Sequence, residues 1–256
     1  MIIDYHAHIW RYANPELADP NTECTAEWLL RAMDRAGVDR TVIVPLVYVP
    51  PAKVRRVLRD NEYILQAVKK YPDRLVGFVT VNPKDEDAPN TVKTFIDQGL
   101  SGLKLLPTPH NYLMSDHLIL DPVLNICEEY RVPVSIRAND DIGSAPLQIE
   151  EMARTFPGIP AFVIDTMGRK WLMPEAMMVA KRTGNVYLET SETSVEEIFA
   201  VFTACGPSKL LYATNSQFFM DEMAEHIYRH KRVIANPADQ EQVFYKNAQR
   251  ILAARI

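Results

Sequence analysis

Glycine is scarce in this chain, nine residues in 256, and no Gly-x-Gly-x-x-Gly or Walker loop follows any apolar run, so a phosphate-cradling loop has little material. Cysteine is scarcer. Cys24, Cys127 and Cys205 are odd in number, far apart and without a Cys-x-x-Cys pair, which argues against a disulfide framework or a thiolate zinc site and for small buried apolar residues. An excess of positive charge is missing too: 28 Lys and Arg stand against 33 Asp and Glu, net charge −5. That leaves no basic footprint for nucleic acid and no polybasic membrane patch. No stretch approaches the roughly eighteen apolar residues of a membrane span, and the first residues show no positive region followed by an apolar one. The expectation is a soluble cytoplasmic protein whose partner is a small molecule.

What is present is a regular alternation without a shift in composition, read as a single domain over residues 1–256. Apolar, β-branched runs at 40–45, 75–81, 102–106, 132–136, 161–164, 185–188 and 209–213 predict strands. Between them, helical spacing predicts helices over 25–36 (stopped at Gly37), 54–71, 90–98, 118–130, 147–155, 174–182 (opened by Pro174) and 194–204. Two more, about 219–232 and 239–253, end the chain. With the first strand, the count is that of a (β/α)₈ TIM barrel, an α/β fold, and this is preferred to an open doubly wound sheet.

The first ten residues organise the rest. Ile2 and Ile3 lead into alternating Asp4, His6 and His8, which a period of two places on one strand face. Two imidazoles so spaced can converge on one metal ion or one substrate atom. In such a barrel the site lies at the C-terminal strand ends, where this chain sets Lys104, His110, Arg137, Asn139, Asp140, Asp141, Asp165, Thr166, Glu189, Thr214 and Asn215. Buried unpaired, each would cost roughly 1 to 3 kcal/mol, so they read as a polar mouth rather than core.

Ile-Asp-x-His-x-His, Gly102-Leu103-Lys104-Leu105, Leu120-Asp121-Pro122-Val123-Leu124, Phe156-Pro157-Gly158, Met167-Gly168 and Lys246-Asn247-Ala248-Gln249-Arg250-Ile251-Leu252 together resemble the amidohydrolase-related family. This is the "amidohydrolase 2" branch, with aminocarboxymuconate-semialdehyde decarboxylase-like enzymes and metal-independent lactonases among its members. The resemblance implies a metal held by the two histidines of strand one, a histidine ending strand five and an aspartate ending strand eight, with a catalytic histidine on strand six. Here only His6 and His8 are kept. Arg137, Thr166 and Asn215 stand at the other three positions.

The departure alters the expected chemistry. A catalytic zinc wants three or four donors, and Asn215 carries no charge and takes no proton from water. A permanent cation at Arg137 repels a dication by several kcal/mol even at an effective dielectric of about 20. The expectation is that Arg137 takes over the metal's electrostatic task, binding a substrate carboxylate or an oxyanion, while one histidine, oriented by Asp4 or Glu189, moves a proton. No cofactor is firmly expected. A small carboxylated lactone or amide is the expected substrate, with His6, His8, Arg137, Asp165 and Asn215 as catalytic candidates. The alternatives are a zinc-dependent hydrolase or decarboxylase with His6 and His8 as ligands, and an inactive member that binds a ligand or partner. Strand alternation is taken to put Asp165 opposite Thr166, so that it needs a local kink to reach the mouth. Trp10, Tyr48, Lys104, His110, Asn139, Thr166 and Glu189 are expected to line the pocket, as are Arg11 and Tyr12. Lys104 can alternatively pair with Asp4 or Glu189. His226 and His230, without the glutamate of His-Glu-x-x-His, read as a solvated face. Met167, Met173, Met177 and Met178 read as adaptable packing or an oligomer contact. The resemblance further implies a homodimer.

Overall fold

The computed structural model describes residues 1–11, 24–46, 54–138, 142–216 and 222–256. The expected pocket residues Tyr48 and Asn139, with Tyr12, Asp140 and Asp141, lie outside them. Strands and helices alternate from β1 (Ile3–Ile9), α1 (Ala26–Ala36), β2 (Arg40–Pro45) and α2 (Val54–Lys70) to β3 (Leu75–Gly77), β4 (Val79–Thr80) and α3 (Ala88–Gln98). Then come β5 (Leu103–Leu105), a short α4 (Pro107–His110), α5 (His117–Glu129), β6 (Val134–Ile136), α6 (Pro146–Thr155) and β7 (Phe162–Ile164). The chain closes with α7 (Arg169–Arg182), β8 (Val186–Glu189), α8 (Val195–Cys205), β9 (Leu210–Leu211), α9 (Glu222–Val233), α10 (Pro237–Glu241) and α11 (Asn247–Leu252). No described helix is long and apolar enough to cross a membrane.

All strand pairs are parallel, in a sheet β1-β2-β3 and a sheet β4-β5-β6-β7-β8-β9 rather than one continuous ring. Hydrogen bonds carry the barrel across both seams. Phe78, between β3 and β4, donates its N–H to the Ile43 carbonyl at 3.1 Å, so the predicted strand 75–81 is one barrel strand in two pieces. At the other seam Tyr5 N–H reaches the Tyr212 carbonyl at 2.9 Å and Asn215 N–H the His6 carbonyl at 2.7 Å.

Period-two alternation splits the apolar residues into two layers. Val42, Val44, Val163, Tyr187, Leu211 and Ala213 join Ile3, Tyr5 and Phe78 in an inner cluster floored by Ala248 and Ile251 of α11. Ile43, Leu103, Leu105, Val134, Ile136, Phe162, Ile164, Val186 and Leu188 face outward against the helices. Each strand is thus apolar on both faces, as a helix-covered sheet requires. The inner layer continues upward through Lys104, Ser135, Arg137, Asp165 and Glu189, because these residues alternate with the outward ones. Asp165 therefore faces the mouth without a kink, a correction to the sequence expectation. The kink belongs to Thr166 and Met167, at φ 50° and 53°.

Local signals set most helix ends. The Thr25 hydroxyl accepts the Trp28 N–H of α1, Gly37 closes that helix at φ 72°, and Ser194 with Glu197 forms a reciprocal capping box on α8. Other boundaries moved. α7 begins at Arg169 rather than Pro174, with a break at Lys170, and the last predicted helix is interrupted by a wide turn at Gln242–Lys246 between α10 and α11. His226 and His230 are buried, not solvated: they lie on the inward face of α9, and the His230 ring meets Tyr212 and Phe244 at centroid distances of 5.1 and 5.8 Å.

Candidate active site at the barrel mouth

Two residues of β1, His6 and His8, place their rings side by side, centroids 4.9 Å apart and planes at 60°. A carbonyl can only accept, so the contact of His8 Nδ1 with the Pro45 carbonyl at 3.1 Å puts the proton on Nδ1 and leaves Nε2 as the acceptor. His6 Nδ1 lies 3.4 Å from Glu189 Oε1 and 4.0 Å from Asp165 Oδ2, which assigns it the same tautomer. Its buried Nε2 has no hydrogen-bond partner among the described residues. Burial disfavours the charged form of both rings, and the positive field of Lys104 adds to it. His6 is lowered to about 3, with the charges of Asp165 and Glu192 opposing the shift, and His8 is held well below its ordinary value. Both are neutral at neutral pH.

Beneath the rings Lys104, fully buried, donates to Asp165 Oδ2 and, at 3.3 Å, to the Ser135 hydroxyl, which donates in turn to Asp165 Oδ1 at 2.9 Å. The expected partners of Lys104 were Asp4 or Glu189. Asp165 takes that place because β5, β6 and β7 are successive strands in register and direct these three residues inward. Burial raises the Asp165 carboxyl, against the lowering effect of Lys104. Glu189 ends β8 and accepts from Ser191 N–H at 2.8 Å, Ser191 Oγ–H at 2.7 Å and Thr166 N–H at 2.8 Å, while burial raises it as well. Arg137, half-buried at the end of β6, is near enough for its charge to lower both histidines, though its influence on each comes after that of Lys104.

The remaining candidates divide. Asn215 is buried in a left-handed conformation, φ 56°, donates from Nδ2 to Glu192 Oε1, and keeps Oδ1 without a partner among the described residues. Glu192 also takes Arg169 Nη1 at 2.9 Å. Thr166 gives the site its backbone N–H, since its hydroxyl turns back to the Asp165 carbonyl at 2.8 Å. Asp4 accepts the backbone N–H of His6 at 3.2 Å, and the carboxylate beside the His6 ring at 3.4 Å is Glu189. Trp10 is packed into the outer apolar layer with Cys24 and Leu29, in place of the expected pocket lining, and Arg11 is exposed. His110 is buried by the short helix α4, which the sequence reading did not foresee.

His6, Asp165 and Glu189 offer potential ligand atoms within 4.8 Å of one another, which makes them the group to test for a metal. Through the Nδ1 side of His6 they do not fit one. The His6 nitrogen beside the carboxylates is the proton-bearing Nδ1, Asp165 is engaged by Lys104 and Ser135, and Glu189 by Ser191 and Thr166. A metal there would have to displace these donors while sitting beside an ammonium group.

Ser135, Ser191, Glu192 and Arg169 are site neighbours that sequence reasoning missed. Ser135 was readable as the inward residue between outward Val134 and Ile136. Glu192 and Arg169 carried no such signal, because each sits at positive φ, 55° and 45°, in a strand-to-helix turn.

The amidohydrolase family profile matches residues 3–253. Among solved structures, a probable 2-pyrone-4,6-dicarboxylic acid hydrolase from Acinetobacter baumannii, with citric acid bound, is similar at 17% identity and TM-score 0.74 over 98% of this chain and 99% of that one. A 5-carboxyvanillate decarboxylase from Novosphingobium aromaticivorans, complexed with manganese and 4-hydroxy-3-methoxy-5-nitrobenzoic acid, is similar at 15% and 0.76 over 99% and 96%. A 4-oxalomesaconate hydratase from Rhodopseudomonas palustris gives 17% and 0.71 over 99% and 96%. At these identities the likeness is one of fold. No curated protein sequence matches.

Proposed function

The chain belongs to the amidohydrolase family, a family of enzymes, and on that premise we propose that it hydrolyses a small carboxylated lactone or amide with cationic side chains in the electrostatic role of a metal. One observation carries the reading: the two neutral imidazoles stand in the field of two cations, Lys104 and Arg137, while the nearby carboxylates are already engaged. Arg137, at the strand end, receives the substrate carboxylate or the developing oxyanion by charge-assisted hydrogen bonds. His6 Nε2 accepts a proton from water as the water oxygen bonds to the carbonyl carbon. Glu189 stabilises the imidazolium through Nδ1–H. When the tetrahedral species collapses, the ring C–O or C–N bond breaks and the proton passes from Nε2 to the leaving oxygen or nitrogen.

The depressed basicity of His6 selects the substrate. At about 3, His6 is a weak base, and each pKa unit it must climb costs about 1.4 kcal/mol. A neutral ligand leaves that cost in place. An anionic ligand beside Arg137 offsets the positive field and raises the imidazole, so a carboxylated substrate activates its own base.

The test is metal analysis of protein purified without chelators, together with turnover of carboxylated lactones and amides, 2-pyrone-4,6-dicarboxylate among them, and of their uncharged esters. The expected outcome is turnover of the acids alone, unchanged by chelator, with a loss of about 10² to 10³ in kcat for Arg137→Met and for His6→Gln. One tightly bound equivalent of zinc or manganese whose removal abolishes turnover refutes the mechanism.

A further inference from the structure

β1 is not a regular strand. Asp4 pairs with Thr41 and Ala7 with Ile43, so three steps on β1 oppose two on β2, a bulge of one residue. Its consequence is directional. Ile3 and Tyr5 point into the inner apolar cluster, and strict alternation from them would send His6 and His8 outward among the helices. The extra residue turns both rings to the mouth.

A bulge frees backbone groups from the ladder, and Asp4 takes up what this one frees. Its Oδ1 accepts the His6 N–H at 3.2 Å and the Thr214 N–H at 3.0 Å. Its Oδ2 accepts the Thr214 hydroxyl at 2.6 Å, and the Thr214 oxygen accepts the Ser216 N–H at 3.0 Å. Next to these contacts the Asn215 N–H donates to the His6 carbonyl at 2.7 Å, and Ala7 bridges Ser216. Three donors converge on one fully buried carboxylate, and all of them lie on the bulge or on the strand end facing it.

We propose that Asp4 is a positioning residue: its carboxylate locks the bulge of β1 to the segment Thr214–Ser216 and thereby fixes the direction in which His6 and His8 present their rings. The site asks for an acceptor on both oxygens. Asparagine keeps one, which can hold both backbone N–H groups, but turns an amide N–H toward a Thr214 oxygen that already accepts from Ser216. Alanine keeps none. The inference rests on the reading of His6 and His8 as the reacting groups only for its functional consequence, since the ring directions can be measured without turnover.

The experiment is long-range ¹H–¹⁵N NMR of the full chain labelled at its six histidines, assigned by His→Gln substitution. Wild type is compared with Asp4→Ala, Asp4→Asn, Thr214→Val and, as a control for general destabilisation, Leu120→Ala on α5. The Nδ1 protons of His6 and His8 are expected to exchange with water about tenfold faster in Asp4→Ala, the factor that corresponds to 1.4 kcal/mol, with a smaller change in Asp4→Asn. Leu120→Ala should leave them as in wild type at a comparable loss of Tm. If Asp4→Ala does not fold, Thr214→Val, which removes the hydroxyl that donates to Asp4 and accepts from Ser216 N–H, must move the same two signals in the same direction. Signals unmoved by the folded Asp4 and Thr214 variants, or moved equally by Leu120→Ala, overturn the assignment. Displaced rings with undiminished turnover leave it standing and refute the proposed chemistry instead.

Discussion

Lys104 and Asp165 form a buried pair at the centre of the mouth, with side chains 1% and 3% exposed, and this makes Lys104→Met the most informative single substitution. Methionine fills nearly the same volume, so little cavity is created. What remains is a buried carboxylate that has lost its cation and keeps the Ser135 hydroxyl alone. Removing one partner of a buried pair costs about 3 to 5 kcal/mol, far more than the pair itself contributes, because the survivor is stranded. For a chain of this size that is a fall in Tm of about 6 to 20 °C. The cost also depends on pH with a definite sign. Asp165 is already raised by burial and is lowered by Lys104, so it rises further in the variant. A folded-state pKa above the unfolded value stabilises at acid pH and loses that contribution as pH rises. The deficit of Lys104→Met should therefore be largest at neutral pH and shrink toward pH 4. Urea unfolding at both pH values measures it, with Lys104→Met/Asp165→Asn closing a double-mutant cycle. The double variant should recover most of the loss. A single variant within about 1 kcal/mol of wild type, or a double variant as unstable as the single, refutes the account of this pair.

His230 supplies a prediction of the opposite sign. Burial holds it at about 4, so as pH falls below the unfolded value of about 6.5 the unfolded chain takes up the proton first and stability declines. Relative to wild type, His230→Gln should be less destabilised at pH 5 than at pH 7 by about 2 kcal/mol, and an equal deficit at the two pH values contradicts the burial argument. At Gly102 an added Cβ would stand 2.6 Å from the Phe78 ring inside the barrel. Gly102→Ala should cost about 1 to 3 kcal/mol in thermal unfolding, and Phe78→Leu in the same chain should return part of it; a neutral Gly102→Ala would show that Phe78 moves freely.

Where the sequence reading succeeded, the physical signal was local and periodic. The alternation of β-branched runs with helical spacing identified the barrel, and Gly37 marked the end of α1, while the starts expected at residues 25 and 194 fall on the capping residues themselves. Among the described residues, Lys104, Ser135, Asp165 and Glu189 do gather beside His6, because parallel strands in register deliver inward positions to one rim. Where it failed, the signal was absent from the chain as text. The bulge in β1 changes nothing in the pattern Asp4, His6, His8, yet it separates the aspartate's task from that of the rings. For the same reason Asp165 was placed on the wrong face: alternation was counted from Thr166, which had already left the strand for a left-handed turn. His226 and His230 fell to tertiary context, since only the packing of α9 on Tyr212 and Phe244 reveals that their face is the buried one.

The charges of the mouth are what the proposed metal-free reading of the two histidines rests on. Lys104 balances Asp165, Arg169 takes Glu192, and hydrogen bonds from Ser191 and Thr166 cover Glu189. Adding a dication about 4 Å from Lys104 would cost about 8 kcal/mol of repulsion at an effective dielectric of about 20, before any ligand bond is counted. Adding a carboxylate near Arg137 has the opposite sign, and it acts on the two imidazoles together because both feel Lys104 and Arg137. On the proposed function, the constellation that works against a dication works in favour of an anion. On that proposal it also couples anion binding to the basicity of His6, so that affinity for the carboxylate and the rate of proton transfer should rise or fall together when Arg137 is changed.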